Sequence, residues 1–334
     1  IGGPTDPTPF ATLFTGMVFA NLFYWCTNQY VIQRTLAARS LAEGQKGVLL
    51  SGFFKVLVPL LMMIPGVVAY HLYGPELQSI DLAYPQLVRD VLPVYATGFF
   101  LAVLLGAVLS SFNSLINSAS TLFCIDVYQP LVGRAVSDSE MVRVAKRVGL
   151  VMTGFSLLVA PLLQFAAEGL WQVIRIFTGF YNIPMIAIVI IGLFTRKVPA
   201  VAAKVVIVFH IVAYGTFQFA LKELLPVHFL HLYAILFLLE VAMMLAIGAW
   251  HPRGEESAIR QTAEVDLTPW AYALPCAVTL LSCVVALYVV FSPIGLAGDG
   301  SNLFAPVLFG LLGLNVAFWF GSHRRLSSEF GVKA

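Results

Sequence analysis

Residues 10–34 read FATLFTGMVFANLFYWCTNQYVIQR. The stretch opens as a membrane span: apolar, uncharged and about 20 residues long, the length that crosses hydrocarbon. Halfway along it stops behaving as one. Asn21, Tyr24, Trp25, Thr27, Asn28, Gln29 and Gln33 bring amides, hydroxyls and an indole to membrane depth. Unpaired polar groups are costly there, so they must face protein or a wet cavity. The stretch reads as the working helix of a transporter.

Composition agrees with a bilayer setting. Of 334 residues, 59% are hydrophobic and 11% charged, where a soluble protein carries roughly 25% charged residues. A net charge of +2 and the lack of a basic tail give no reason to expect nucleic acid as a partner. Cys26, Cys124, Cys276 and Cys283 sit in apolar runs without zinc-type spacing, and read as small buried hydrophobes. The chain opens on Ile1, and no signal-peptide pattern precedes the first span. The expectation is that the N-terminal part of a longer protein is missing.

Hydropathy predicts nine spans, near residues 9–31, 47–70, 93–125, 148–166, 169–195, 200–221, 229–249, 268–291 and 303–321. The third is too long for one perpendicular helix and is expected to tilt or to extend into the cytoplasm. The joint from Ala166 to Glu168 is minimal. Lys and Arg set the orientation. With the first span running from outside to inside, the inner joints hold 15 of the 19 basic residues, among them Arg34, Arg39, Lys46, Arg196, Lys197, Arg260 and Lys333. The outer joints keep Arg89 and Lys222. That asymmetry is the positive-inside pattern, and it predicts a cytoplasmic C-terminus.

Lys55 and Arg175 lie inside spans. A charge at that depth faces a cavity or a partner, or snorkels to an interface. Both readings stay open for each residue. Glu240 is a third intramembrane charge, read as paired with a neighbour on a peripheral helix. His210 reads as a satisfied packing histidine. Three spans carry breaks: Pro59 and Pro65 in the second, Gly179, Asn182 and Pro184 in the fifth, and the polar cluster in the first. Discontinuous helices at mid-membrane are typical of secondary transporters. In the third span Ser110, Ser114, Asn117 and Thr121 recur along one helical face. Such a strip allows close helix packing, or supplies neutral oxygens to Na+.

At this point the residues resemble a family. The run from Asn21 to Ala38, the run Phe54-Lys55-Val56-Leu57-Val58-Pro59 with Pro65-Gly66, and Ser110-Ser111 followed by Asn117-Ser118 closely resemble the sodium:solute symporter family, in its sodium/sugar cotransporter branch. The similarity runs from about Thr5 to Lys197, and more loosely to the end. It implies an all-α polytopic membrane protein with a leucine-transporter-like inverted-repeat fold and about nine transmembrane helices in this chain. Residues 1–197 would form the second five-helix repeat, with the first repeat absent, and residues 198–334 the peripheral helices.

By resemblance, Asn21 would bind substrate hydroxyls, Tyr24 would close the cytoplasmic side of the sugar pocket, and Trp25 would pack or stack beside it. Lys55 would contact substrate hydroxyls. Ala107, Ser110 and Ser111 would supply one half of a sodium site, the other half coming from the absent repeat. Arg175 departs from the pattern, since sugar transporters of this family carry Gln there. Arg only donates and brings a fixed charge. This puts plain glucose or galactose in question: a sugar acid or another anionic polyol would gain from Arg175, and equally a carboxylate in the missing half could neutralise it.

The leading function is therefore sodium-coupled import of a small hydrophilic solute, a sugar or sugar derivative, across a cell membrane of multi-pass topology, with a bacterial inner membrane as the expected location. Its partners are the solute, Na+, membrane lipid and the missing N-terminal half. The alternative is a symporter-fold sensor, or a carrier of a non-sugar anionic or polyol solute. An enzyme is not expected: no Ser-His-Asp set, no His-Glu-x-x-His and no intramembrane carboxylate pair are present.

Overall fold

The computed structural model describes residues 3, 8–77, 80–165, 170–222, 224, 227–254, 265–292, 295 and 302–330. Among these the chain is helical: α1 (Gly16–Cys26), α2 (Gln29–Leu36), α3 (Leu41–Tyr73), α4 (Ala83–Val91), α5 (Val94–Leu122), α6 (Gln129–Val132), α7 (Asp138–Val159), α8 (Leu170–Phe194), α9 (Ala200–Thr216), α10 (Phe229–Trp250), α11 (Ala273–Val290) and α12 (Phe304–Phe330). Among the described residues eight helices are long and apolar enough to cross a membrane, and Gly16–Cys26 is a shorter apolar one. The protein is an all-α polytopic membrane protein.

Local chemistry sets the helix ends. Ser40 caps α3, its Oγ accepting the Glu43 N–H at 3.3 Å, and Ser137 caps α7 through the Glu140 N–H at 3.4 Å. Each is a Ser with Glu three residues on, the capping-box spacing. Pro93 precedes α5 and Pro199 precedes α9. The third span is a continuous 39 residues, Val94–Val132, carried past α5 by a π-helical stretch at Phe123–Tyr128. Its length was legible; the widened turn was not. The joint at Ala166 to Glu168, and Arg260 and Lys333, lie outside the described residues.

Two expected breaks are not found. α3 runs through Pro59 and Pro65, and α8 runs through Pro184. Each proline removes one backbone donor. The bonds on either side survive, and in lipid no water competes for the freed carbonyl, so the helix remains the better state. The break in the first span is real. A 3-10 turn at Phe10–Phe14 leads into α1, and the helix stops between α1 and α2.

The chain divides into two compact units. The first comprises Ile1–Gln33, Ser79–Asp81 and Val91–Arg260; the second comprises Arg34–Gln78, Leu82–Asp90 and Gln261–Ala334. In the first, α1, α8, α9 and α10 pack around Phe23, Ile183, Ile186, Tyr214, Leu230, Tyr233 and Phe237. Lipid is as apolar as Leu, so these helices associate through close packing and polar contacts rather than water expulsion. Gly16 shows how close: a Cβ there would lie 1.7 Å from the Leu230 carbonyl oxygen. In the same unit α5 packs on α7.

In the second unit α11 packs against α3 and α12. The segment before α11 is tied to the start of α3: Leu41 N–H donates to the Asp266 carbonyl at 2.9 Å, and Trp270 N–H to Gln45 Oε1 at 2.7 Å. Lys46 Nζ lies 5.9 Å from the Trp270 ring centroid. Trp319 on α12 donates its indole N–H to Thr279 on α11 at 3.0 Å.

Candidate functional site

The interruption of the first span is built from its own polar residues. At Thr27 the backbone leaves the helix (φ −131°, ψ −15°). The Thr27 and Asn28 N–H groups both return to the Phe23 carbonyl at 3.0 Å, and the Thr27 hydroxyl donates to the same oxygen at 2.9 Å. The Asn28 carbonyl then accepts from Val31 at 3.0 Å and Ile32 at 3.1 Å, starting α2. The Phe23 and Asn28 carbonyls and the Thr27 and Asn28 N–H groups are thus paired across the break, which interrupts the regular ladder between the two helices.

α1 is held on one side and open on the other. On the held side Phe19 stacks on Phe237 at 4.0 Å, Phe23 meets Tyr181 edge-on at 5.7 Å, and Thr15 Oγ1 lies 2.9 Å from His231 Nδ1. An aromatic pair of this kind contributes about 1 kcal/mol beyond its area. Val18, Asn21, Leu22 and Trp25 are exposed at the i, i+3, i+4, i+7 spacing of one helical stripe, and Cys26 beside them is exposed rather than buried as its apolar run suggested. Asn21 Nδ2 donates to the Met17 carbonyl at 2.8 Å. Tyr24 lies beside Trp25, ring centroids 4.9 Å apart, and its hydroxyl bonds that of Tyr30 across the gap. Sequence reasoning missed Tyr30; its signal was only an aromatic two residues past Asn28.

Arg175, on α8, is half-buried and turned toward protein. Its Nη1 donates to Thr8 Oγ1 at 2.8 Å, Nη2 lies 3.4 Å from Met17 Sδ, and the guanidinium sits 5.5 Å from the Phe229 ring centroid. The structure thus brings Arg175 to the Met17 side of α1, one turn before Asn21.

Ala107, Ser110 and Ser111 lie in a stretch of α5, residues 101–111, that is exposed all round, while Ser114, Ser118 and Ser120 are buried. Ser114 Oγ donates to the Ser110 carbonyl and Thr121 Oγ1 to the Asn117 carbonyl, each at 2.8 Å. The four-residue strip therefore splits: Ser114 and Thr121 use their hydroxyl protons on their own helix, and Ser114 turns inward. On an exposed face, a carbonyl at 107 with hydroxyls at 110 and 111 is a neutral-oxygen donor set of the kind a monovalent hard cation accepts. Among the described residues no group of three or more His, Cys, Asp or Glu could hold a metal. Lys55 is exposed on α3, in the second unit.

The readings of His210 and Glu240 hold: His210 Nδ1 bonds Glu240 Oε1, and both side chains are fully buried.

Comparison with known proteins places this geometry in context. The Sodium:solute symporter family matches residues 4–207. The chain is 40% identical over 318 residues to "Uncharacterized symporter YidK" of Escherichia coli (strain K12), covering 95% of this chain and 55% of that protein. It is 30% identical over 297 residues to "Sodium/glucose cotransporter" of Vibrio parahaemolyticus, covering 84% of this chain and 54% of that one. It is 34% identical over 210 residues to "Sodium/myo-inositol cotransporter 2" of Homo sapiens, covering 58% and 31%. The chain spans about half the length of the two bacterial relatives.

Proposed function

The chain belongs to the sodium:solute symporter family, and from that membership we propose that it forms part of a sodium-coupled importer of a small polyhydroxylated solute, a sugar or a cyclic polyol. The observation that carries the reading is the interrupted first span. Its gap at Thr27 and Asn28 interrupts the helical ladder beside an exposed stripe holding Asn21 and Trp25. Such a gap is tolerated in a bilayer where it lines a cavity or meets a ligand. The names of relatives that move glucose and myo-inositol with sodium support the solute class.

Na+ takes its oxygens from Ala107, Ser110 and Ser111 on α5. Asn21 bonds the solute hydroxyls, with Trp25 stacking at the ring face. The linked hydroxyls of Tyr24 and Tyr30 close the inner end of the gap until release. Coupling requires that ion and solute favour the same conformation, a reciprocal free-energy link. Each Na+ charge moving down a 100 mV potential supplies about 2.3 kcal/mol. Residues 1–197 act as one five-helix repeat of the carrier, and residues 198–334 as peripheral helices.

The test is uptake by the full-length protein in proteoliposomes under an imposed sodium gradient, across neutral hexoses, inositols and sugar acids. Sodium-driven accumulation of a neutral hexose or inositol is expected, and Ser111→Ala abolishes the sodium dependence without lowering expression. No sodium-driven uptake of any of these overturns the reading; uptake confined to sugar acids moves the solute class and gives Arg175 its role.

A further inference from the structure

Outside the candidate site, three ring side chains from α9 and α10 converge on a single turn of α8. Tyr233 Oη donates to the Arg175 carbonyl at 2.7 Å, and Tyr214 Oη to the Ile176 carbonyl at 3.0 Å. His210 Nε2 lies 3.0 Å from the Gly179 carbonyl. Gly179 leaves room for them: a Cβ there would lie 2.3 Å from Tyr233 Oη and 2.8 Å from Tyr214 Oη. The His210 ring stacks on Tyr214 at 5.6 Å with 19° between planes. Behind His210 stands Glu240, and neither side chain reaches the surface.

The bonding fixes the proton count. A carbonyl only accepts, so His210 Nε2 must carry a hydrogen. The contact between Nδ1 and Glu240 Oε1 then holds one further proton, whichever atom it sits on. In either form the pair is neutral as a whole, which is the charge state a dry membrane interior tolerates. A net-neutral pair with its proton fixed by geometry holds a backbone in place without needing water.

The contacts continue to α1. Arg175, whose carbonyl Tyr233 holds, reaches Met17 and Thr8 with its guanidinium, and the Met17 carbonyl holds Asn21. We propose that Glu240, His210, Tyr214 and Tyr233 are positioning residues: a clamp from two peripheral helices that fixes the first half of α8 and, through Arg175, the setting of α1. The functional weight of α1 rests on the transport reading above; the clamp itself does not.

Hydrogen exchange of the full-length protein in nanodiscs tests it, followed on peptides covering residues 16–28 and 170–183. Tyr233→Phe keeps the ring and deletes one bond to α8. It is expected to raise exchange in both peptides about five-fold or more, the loss of one buried bond. Glu240→Ala does the same, and Glu240→Gln restores the wild-type rate, because its amide N–H donates to Nδ1. If Glu240→Ala does not fold, the Tyr233→Phe and Glu240→Gln results decide alone. Change confined to α9 and α10, or Glu240→Gln as disruptive as Tyr233→Phe, overturns the clamp. Sodium-driven uptake by the same proteins reconstituted in proteoliposomes separates the two readings. A positive exchange result without wild-type uptake keeps the clamp and discards transport, and the reverse result does the opposite.

Discussion

His228 shows how much one side chain can couple. It caps α10, its Nδ1 accepting the Leu230 N–H at 3.3 Å. Burial first, then the positive charge of Arg175, push its imidazole down from the ordinary 6.5 to about 4. The folded value is the lower one, so between those pH values the unfolded chain binds more protons. The stability that the neutral ring contributes is complete above pH 6.5 and is lost as pH falls toward 4. Thermal unfolding in detergent should therefore drop in midpoint across that window. His228→Asn, which still caps and does not titrate in this range, should flatten the acid limb relative to wild type. Equal acid sensitivity in the two proteins would show that His228 is not the sensor. The sequence shows His231 and Lys222 nearby, but not the burial or the approach of Arg175 from α8, which act on this group.

At the scale of elements, the informative object is the gap between α1 and α2. Thr27 and Asn28 hold it with three hydrogen bonds to one carbonyl, and a stronger helix former removes that arrangement. The double variant Thr27→Ala, Asn28→Leu should join α1 to α2, keep expression, and lower sodium-driven uptake at least ten-fold. Uptake within two-fold of wild type would mean that the interruption is incidental. This break was legible because its polar residues have no place in lipid. The prolines misled for a related reason. Pro59, Pro65 and Pro184 each remove one donor, and sequence alone does not say whether the remaining ladder survives; here α3 and α8 continue. The serine strip was half legible. Its spacing put Ser110, Ser114, Asn117 and Thr121 on one stripe, yet burial turns Ser114 inward and leaves Ser110 outward, a distinction that only a packed neighbour makes. The pairing of Glu240 was expected and its partner was not, since residues 210 and 240 are joined only by the packing of α9 on α10.

For the whole molecule, the charge pattern predicts orientation. Single cysteines replacing Arg39 and Arg196 in the full-length protein, with native cysteines exchanged for Ala or Ser, should react with a membrane-impermeant maleimide only after the cytoplasmic face is opened. Cysteines replacing Arg89 and Lys222 should react from outside. Labelling of all four from one side would refute the alternation of spans. The long apolar helices, the span order and the family were all readable from 334 letters, because lipid imposes length and charge rules on every segment. The grouping of α1, α8, α9 and α10 was not, because the contacts that create it are between residues far apart in the chain. The near-contact of Gly16 with the Leu230 backbone carries a practical consequence. Trimming the protein after Lys197 would strip α10 from α1, taking Phe237 from Phe19 and the Leu230 and Tyr233 side of the core from Phe23. Helices that sequence alone marks as additions cover the face of α1 and α8, and a shortened chain would have to be given a replacement for that cover.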